Sequence, residues 1–460
     1  MYKITLSILF LFSYLVVNSQ QINYNPIIPD MIADPSIVEI DGTFYCYATT
    51  DGYGHGLKTS GPPVVWKSKD FINWSFSGTI FPSALKELYW APSTVHKVKN
   101  KYYLYPTINR NIYVAVADSP EGPFHLATGN DTFQGEDAAK PLLELKAPKN
   151  TKGIDAEVFI DEDGKAYMYW AQRGAAHLQS DMITLDSTLV IPTKRSGYSE
   201  GPFMFKRKRI YYYLYTLSGN ENYQYAYMMS HVSPLGPWES PSEDIITTTN
   251  HTAGIYGPGH GCVFSVKETG KYYIAYLEFG SGGTNRQVYV DKIEFNADGT
   301  IRPVILTHQG VSSLLPTVEK QINLANDKKC FASSFQSEFK VKPIKDSLLN
   351  RIETFKPENA LDSSNGTRWL ALETDTTTWF EVDLGRIEKI NKTEIFFVKP
   401  TGGHAYRLEY SLDGKSWKTC VEHSDLRVQS PHTEQFSIST RYLKITILKG
   451  TPGLWEFKVY

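Results

Sequence analysis

Apolar and polar residues alternate along the first two-thirds of the chain in one recurring phrase: a small or acidic residue, an apolar run, a polar turn and a tyrosine-rich run. Alternation with period two is typical of strands with one buried face. The polar breaks are turn dipeptides such as Asp-Gly, Lys-Asn and Thr-Gly, so each phrase predicts a β-hairpin. The phrases cover residues 34–47, 91–105, 155–169, 200–215 and 261–276.

Further strand-like runs follow these hairpins, for example at residues 112–117, 225–229 and 287–290. Four strands per unit, repeated every 40–50 residues or somewhat more, are typical of the blades of a β-propeller. The pattern therefore predicts an all-β fold in which residues 25–310 form a five-bladed β-propeller with four strands per blade. The inner strand of each blade runs along the central channel, so the residue that opens each phrase is expected near the channel mouth.

The two ends of the chain predict further segments. Lys3 precedes an almost wholly apolar run, residues 4–17, which is the pattern of a signal peptide and is short for a bilayer span of about 20 residues. We therefore expect cleavage after residues 1–20 and a secreted or periplasmic protein without membrane insertion.

After residue 307 the tyrosine-rich phrase stops. We expect a connector over residues 311–329 and a second domain over residues 330–460, because a chain of this length exceeds what one core usually supports.

Composition narrows the class of partner. The net charge is −2, which provides no basic surface for nucleic acid or an anionic membrane, so a neutral partner is favoured. The 30 tyrosines suit stacking on sugar rings, although filling the faces of an all-β protein accounts for most of them. The four cysteines have no metal-site spacing, and a disulfide between Cys330 and Cys420 is left open.

The residues that open the five phrases carry the candidate chemistry. They are Asp34, Trp90 with Ala91, Asp155, Glu200 and His260. Any one of the acids could be a strand-end residue held by local amides, but three acids at equivalent positions facing one axis favour a catalytic site. Acids that converge in this way can act as general acid and general base.

The same phrases resemble those of family 43 of the glycoside hydrolases, a family of five-bladed β-propellers. The matching motifs are Ala33-Asp34-Pro35, Trp90-Ala91-Pro92, Ile154-Asp155-Ala156-Glu157-Val158-Phe159, Ser199-Glu200-Gly201-Pro202 and Gly257-Pro258-Gly259-His260. The resemblance implies that Asp34 is the general base, Glu200 the general acid and Asp155 the residue that orients the acid and raises its pKa by like-charge repulsion. It also implies inversion, with the working carboxyls about 6.5–9.5 Å apart, and no cofactor for the chemistry.

Other residues near these motifs have two interpretations each. Glu157 shares a strand face with Asp155, because side chains alternate, and is the rival for that third role. His260 resembles a central histidine that contacts a calcium or another ion in some relatives, and a hydrogen-bonded structural role is the alternative. Arg286 resembles an arginine that lines the sugar subsite, with a surface salt bridge as the alternative. The aromatic residues expected to stack on substrate are Trp90, Tyr53 and Tyr256.

Residues 330–460 resemble a discoidin or coagulation-factor type C domain. The matching segments are Asn359–Asp362, Thr367–Trp369, Trp379–Gly385, Tyr410–Trp417, Arg441–Leu443 and Trp455–Phe457. The resemblance implies a jelly-roll β-sandwich that binds carbohydrate, with a structural calcium near Asp362. We expect Trp369 and Trp379 in its core, and His404 is considered for sugar binding.

The leading hypothesis is a secreted, inverting, exo-acting α-L-arabinofuranosidase or β-xylosidase that acts on the side chains of an oligo- or polysaccharide. An exo-β-galactosidase or an endo-arabinanase of the same family is an alternative, because one triad serves all these substrates. A non-catalytic carbohydrate-binding propeller is the second alternative, although such a protein is expected to lack one of the acids. We expect the second domain to be dispensable for hydrolysis of small soluble substrates.

Overall fold

The computed structural model describes residues 24–51, 60–81, 87–142, 153–186, 188–280, 286–314 and 321–460. Within these ranges the regular structure is strand, apart from short 3₁₀ helices at Asn220–Asn222, Pro357–Ala360 and Pro400–Gly402. In the part of the chain that the structure describes, no helix is long and apolar enough to span a membrane. The predicted signal peptide and Tyr53 lie outside the described residues.

Five antiparallel sheets follow one another along the chain, and each contains one of the predicted hairpins. The strands of the first sheet are β1 (Ile32–Ile40), β2 (Thr43–Thr50) and β3 (Val65–Ser68). The next seven strands are β4 (Tyr89–Trp90), β5 (His96–Val98), β6 (Lys101–Leu104), β7 (Thr107–Ile108), β8 (Asn111–Ile112), β9 (Ala115–Ala117) and β10 (His125–Leu126). The second sheet has the order β5-β6-β9-β10, while β4, β7 and β8 form a small sheet of their own.

The remaining sheets of the ring are consecutive meanders. The third contains β11 (Glu157–Ile160), β12 (Ala166–Trp170), β13 (Gly174–Leu178) and β14 (Leu189–Val190). The fourth contains β15 (Phe203–Arg207), β16 (Ile210–Leu217), β17 (Gln224–Ser230) and β18 (Ile245–Thr247). The fifth contains β19 (Gly259–Val266), β20 (Lys271–Glu278) and β21 (Gln287–Ile293). Strand β1 packs against β19 and β20, so the first and fifth sheets are neighbours. The five-bladed β-propeller is confirmed.

The blades differ from the prediction in strand number. The first and fifth sheets have three strands each rather than four. In the first sheet, the fourth strand is reduced to a bridge between Lys67 and Ser75. In the fifth, the start of the propeller takes the outer position, because the N–H of Ile27 donates to the carbonyl of Val288 at 2.9 Å.

This contact closes the ring, and the side chain of Asn25 fastens it. The amide of Asn25 accepts a hydrogen bond from the N–H of Val290 at 2.8 Å and donates to the carbonyls of Val290 and Thr307 at 3.0 and 2.8 Å. Asn25 is buried, and Gly310 packs so closely on it that a side chain at Gly310 would collide with the amide. One amide therefore replaces several ladder hydrogen bonds at the closing seam.

Tyrosines fill the faces of the blades, as composition indicated. Tyr47 and Tyr169 are fully buried, and their hydroxyls donate to the carbonyls of Pro120 and Pro234. Both prolines belong to the same phrase, Ser-Pro-x-Gly-Pro, at residues 119–123 and 233–237. A buried tyrosine needs a partner for its hydroxyl, and here the phrase between the third and fourth strands of the next blade supplies it.

The C-terminal residues form a β-sandwich around a second core. Its strands are β22 (Lys329–Ala332), β23 (Phe339–Lys340), β24 (Ile352–Glu353), β25 (Trp369–Leu370), β26 (Thr378–Phe397), β27 (His404–Ser411), β28 (Lys418–Arg427), β29 (His432–Lys449) and β30 (Gly453–Val459). The long strands β26 and β29 pair along most of their length, and the two halves of β26 have different outer neighbours, β22 and β30. The second core already includes Ala325, ahead of the predicted start at residue 330.

One question that the sequence left open is answered for this domain, and two expectations are wrong. Cys330 and Cys420 are free, because strands β26, β29 and β27 lie between β22 and β28, and neighbouring strands are about 4.8 Å apart. Trp369 is in the core as predicted, but Trp379 is partly exposed, since it alternates with the inward-facing Phe380. His404 is completely buried and stacks on a phenylalanine ring, so it cannot meet a sugar.

Strands β23 and β24 pair only with each other and form a hairpin outside the main sheet. We call residues 339–353 the docking hairpin, because its loop lies against the propeller. Val341 and Leu349, from this loop, form a small buried cluster with Tyr256 of the propeller. The hairpin therefore joins the two domains next to the loop that leads into β19.

Candidate active site

The residues that open the phrases share a backbone conformation. Asp34, Ala91, Asp155 and His260 have φ angles of 51°, 37°, 57° and 29°, which is the left-handed region. Glu200 is followed directly by Gly201, whose φ is 60°. Such a conformation costs free energy in residues other than glycine, and it interrupts the ladders of β1 and β19 with register shifts. The same kink in successive blades turns the opening side chains towards one another.

Asp34 lies at the centre of the resulting cluster. Its Oδ1 is 3.1 Å from Nη1 of Arg286 and 3.3 Å from Nδ1 of His260. Its Oδ2 accepts a hydrogen bond from Thr49 Oγ1 at 2.7 Å. Asp155 completes the group, with its Oδ2 3.9 Å from the same nitrogen of His260. Both carboxylates are about 5% exposed, so the cluster is almost entirely removed from bulk water.

Arg286 is held in place by a second acid, Asp51. The backbone N–H and Nε of Arg286 donate to Asp51 Oδ2 at 3.2 and 3.1 Å, and Nη2 donates to Oδ1 at 2.8 Å. Arg286 is 4% exposed, so the surface salt bridge considered from the sequence is wrong. A planar guanidinium bound in this way has one end fixed on Asp51 and presents the other to Asp34.

Charge and burial act in opposite directions on the buried groups. Burial would raise the pKa of Asp34, but the charges of Arg286 and His260 and the hydrogen bond from Thr49 outweigh it, so this pKa lies below its usual value. Burial would lower the pKa of His260, but the acids around it, Asp34 first and then Asp155, raise it. Asp34 is therefore ionised, and His260 tends to carry a proton.

Asp155 behaves differently from Asp34. Burial, and then the negative charges of Glu200 and Asp34, raise its pKa to about 7, against the opposing effect of His260. Its Oδ2 makes no hydrogen bond within the described residues. Glu157, the rival for its role, does not join the cluster: its carboxyl accepts a hydrogen bond from the N–H of Thr94 at 3.0 Å, and burial raises its pKa to about 8.

Sequence models of two known protein families match this chain, and one of them covers the cluster of acids. The sequence model of the glycosyl hydrolases family 43 matches residues 23–301, more than half of the chain. The chain belongs to glycosyl hydrolase family 43. Enzymes of this family hydrolyse glycosidic bonds with inversion, so this family 43 chain is an inverting glycoside hydrolase. A second model, that of the F5/8 type C domain, matches residues 344–457.

Individual relatives agree with this assignment. The family 43 chain is 29% identical over 312 residues to a β-D-galactofuranosidase of Aspergillus niger, covering 62% of this chain and 86% of the relative. It is 26% identical to an arabinoxylan arabinofuranohydrolase of Bacillus subtilis, covering 64% and 66%. A solved structure described as a glycoside hydrolase is 56% identical, with a TM-score of 0.91 and coverage of 94% of this chain and 98% of that one.

The aromatic residues predicted to stack on substrate have different positions in this family 43 enzyme. Trp90 is partly exposed on β4, beside the kink at Ala91. Tyr256 is not available, and that prediction is wrong. It is 5% exposed, its ring packs in the cluster with the docking hairpin, and its hydroxyl donates to the carbonyl of Leu348 at 3.2 Å.

Sequence reasoning missed the residue that contacts Glu200. Tyr223, just before β17, donates a hydrogen bond from its hydroxyl to Glu200 Oε1 at 2.7 Å. Burial, and then the charge of Glu200, raise the pKa of Tyr223 far above its usual range, so the phenol keeps its proton and remains a donor. No phrase indicated this tyrosine, because it does not occupy a repeat-opening position.

Proposed function

We propose that this enzyme is an exo-acting α-L-arabinofuranosidase or β-xylosidase in which Asp34 is the general base, Glu200 the general acid and Asp155 the residue that orients and modulates the acid. The observation that carries the proposal is the buried cluster around Asp34. An ionised carboxylate, a carboxyl with a pKa near 7 and a third acid lie in this cluster. Inverting hydrolysis requires one general acid and one general base, and a cluster of three acids can supply both.

Asp34 suits the role of general base because its ionised form is favoured. The charges of Arg286 and His260 lower its pKa despite burial, so the carboxylate can accept a proton from an attacking water. Thr49 occupies one carboxylate oxygen and Arg286 the other, which fixes the plane of the group. A base with a fixed orientation can hold one water in line with the anomeric carbon.

Glu200 suits the role of general acid because a fixed donor orients its carboxyl. Tyr223 holds one oxygen, which leaves the other free to give a proton to the departing glycosidic oxygen. Asp155 lies within reach of the same group: Asp155, Glu200 and His260 each have one side-chain atom within 4.8 Å of the others. Asp155 is therefore close enough to interact with the charge of Glu200, which contributes to the raised pKa of Asp155.

The depth of the cluster supports action on a terminal sugar or a single-sugar branch. Carboxylates with 5% exposure are reached by a sugar that enters end-on, and less readily by the middle of a continuous polysaccharide. The names of the relatives support furanose or xylose substrates, since they include an arabinofuranohydrolase and xylosidases. A galactofuranoside is the second candidate, favoured by the relative from Aspergillus niger.

The test is a parallel measurement on p-nitrophenyl α-L-arabinofuranoside, β-D-xyloside and β-D-galactofuranoside, with proton NMR of the first-formed product. We expect one of the first two to have the highest kcat/KM and the initial product to have inverted configuration. Highest activity on the galactofuranoside would select the second candidate. A product of retained configuration, or no hydrolysis of any of these, would overturn the proposed mechanism.

A calcium ion in the channel does not form part of this proposal. The three groups of Asp155, Glu200 and His260 are close enough for one ion, but calcium prefers oxygen ligands. His260 would contribute a nitrogen, and this Nδ1 already lies 3.3 Å from Asp34 Oδ1 and 3.9 Å from Asp155 Oδ2. Arg286 adds a further positive charge beside Asp34. These residues do not fit the ion, and no step is assigned to it.

The C-terminal domain has a pair of acids that does fit calcium. Glu456 is 1% exposed, and its Oε2 has no hydrogen-bond partner among the described residues. Burial raises its pKa, and the charge of Asp362 adds to the effect. A hard cation would relieve this repulsion through oxygen ligands. We infer that Asp362 and Glu456 hold a structural calcium. We also infer that the enzyme is secreted and that its C-terminal domain binds carbohydrate.

A further inference from the structure

The docking hairpin binds loops of the propeller that lead to the active site. Arg351 donates to both carboxylate oxygens of Glu278, at 3.2 and 2.6 Å, and to the carbonyl of Gly254 at 2.7 Å. Glu278 in turn accepts the N–H of Tyr256 at 3.0 Å, four residues before His260. The hairpin thus fixes the segment that enters β19 and carries the imidazole of the cluster.

A second contact lies closer to the acid. Glu221 is completely buried, and its carboxylate accepts the backbone N–H groups of Ile344 and Lys345, the latter at 3.0 Å. Both donors belong to the docking hairpin, more than 120 residues along the chain from Glu221. Two N–H bonds to a buried carboxylate are a strong attachment, because a buried charge without them would be left unsatisfied.

The loop that carries Glu221 has little freedom of its own. The carbonyl of Glu221 accepts a hydrogen bond from Thr249 at 2.7 Å, and the N–H of Tyr223 donates to the carbonyl of Asn220 at 3.2 Å. That carbonyl packs against Gly257 so tightly that a side chain at Gly257 would collide with it. Glu221 and Tyr223 belong to the same tight turn, two residues apart.

We propose that the docking hairpin is part of the catalytic apparatus: through Glu221 it fixes Tyr223, and Tyr223 fixes the carboxyl of Glu200. Glu221 and Tyr223 are positioning residues in this scheme, and the second domain supplies the anchor. The inference rests on the proposed function of Glu200 as the acid. It reverses the expectation that the second domain is dispensable for small substrates, because removing the hairpin leaves the carboxylate of Glu221 without both donors.

Other contacts between the two domains provide a comparison. Asn365 donates from its side chain to the carbonyl of Pro26 at 3.1 Å, and Phe76 and Ser430 exchange backbone hydrogen bonds. Neither contact touches the loop of Glu221 and Tyr223. If the interface served only to hold the domains together, loss of the Asn365 contact and loss of the Glu221 contact would have the same kind of effect on activity.

The experiment compares Glu221→Gln with Asn365→Ala in the full chain, on a p-nitrophenyl glycoside and on the methyl glycoside of the same sugar. The methyl glycoside needs protonation of its leaving group, whereas the p-nitrophenyl glycoside needs little. We expect Glu221→Gln to lower kcat on the methyl glycoside by roughly 10- to 100-fold, with KM nearly unchanged, and to have a small effect on the p-nitrophenyl glycoside. Asn365→Ala should leave both substrates unaffected.

Tyr223→Phe tests the second half of the path. It should give the same dependence on the leaving group, and adding Glu221→Gln to it should lower kcat little further, because both changes interrupt one chain of contacts. Equal losses on the two substrates, or fully additive losses in the double variant, would show that Glu221 does not act through Tyr223.

A pair of substitutions in the hairpin keeps the test open if Glu221→Gln does not fold. Lys345→Pro removes one of the two N–H groups that Glu221 accepts, while Lys345→Ala keeps it and removes the same exposed side chain. Only the proline variant should lose activity selectively on the methyl glycoside. Equal behaviour of the two variants would overturn the inference. Glu200→Gln separates this inference from the proposed function. If Glu200→Gln loses no more activity on the methyl glycoside than on the p-nitrophenyl glycoside, the assignment of Glu200 as the acid fails. If Glu200→Gln shows this difference and the Glu221 and Lys345 variants do not, the hairpin does not act on the acid.

Discussion

At the scale of single residues, Asp34 is the group whose state the surroundings fix most firmly. Three neighbours favour its ionised form, and all three remain when the carboxylate becomes an amide. We expect Asp34→Asn to fold normally and to lose about 10²- to 10⁴-fold in kcat on every substrate, independent of the leaving group, because the base acts on water. The control is Asp163→Asn, at an exposed turn of the third blade. Activity of Asp34→Asn near that of the wild type on an oligosaccharide would contradict its assignment.

Glu157 is expected to limit stability at alkaline pH. Burial raises its pKa to about 8, so the folded state binds the proton more tightly than the unfolded chain does. This stabilisation is present below the unfolded pKa, about 4.5, and is lost as the pH rises through 8. Glu157→Gln mimics the protonated form. We expect this variant to have the same Tm as the wild type at pH 5. At pH 9 we expect its Tm to be higher by a few degrees, because its free energy of unfolding is larger by about 1–3 kcal/mol.

Thermal unfolding in matched buffers measures this difference. Equal Tm values at both pH values would mean that Glu157 is ionised in the folded protein. Loss of activity in Glu157→Gln at pH 6, with folding intact, would restore Glu157 as the rival of Asp155.

The site could be predicted from the sequence as far as the repeat extended. Asp34, Asp155 and His260 open equivalent phrases, and the structure brings these three side chains together. Asp51 and Tyr223 could not be found in this way, because they stand outside the opening positions and meet their partners only after the ring closes. The error at Tyr256 has a related cause, since its ring is covered by a segment that lies about 90 residues later.

At the scale of elements, the alternation of apolar and polar residues was sufficient to predict the hairpins. It was not sufficient to predict the distant segments that complete the blades. Each hairpin is a contact between neighbouring residues, so its pattern is complete within the phrase. The outer position of the fifth blade is taken by Ile27 and its neighbours, more than 200 residues before that blade, and no local pattern predicts this. In the sandwich, β26 and β29 continue through both halves of the sheet, where alternation alone would not fix the boundary.

The closing seam gives a prediction at this scale. Asn25→Ala removes three hydrogen bonds to backbone groups of the last blade and the segment after it. We expect a loss of about 3 kcal/mol, or a fall in Tm of roughly 6–12 °C, because buried backbone groups lose their partner. Asn296→Ala, at an exposed turn, is the control. A fall in Tm no larger than that of the control would show that the backbone pairing of Ile27 closes the ring without Asn25.

At the scale of the whole molecule, the two domains are stabilised by different means. The propeller depends on its closed ring, whereas the sandwich contains the buried acid Glu456 beside the partly buried Asp362, and the charge of Asp362 raises the pKa of Glu456. We expect calcium to raise the Tm of the sandwich by several degrees and EDTA to reverse the change, since a ligand that binds the folded state stabilises it. Glu456→Gln should remove the response. A calcium effect that persists in Glu456→Gln would place the ion elsewhere.

Ring closure also depends on the order in which the chain is synthesised. The partners of Asn25 are synthesised 265 and 282 residues after it. At about 5–20 residues per second, roughly ten seconds to a minute pass between the synthesis of Asn25 and that of the backbone groups to which it binds. Throughout this interval the nascent chain has an incomplete ring with an exposed edge. Chaperones and proteases can therefore reach a surface that is covered in the finished enzyme.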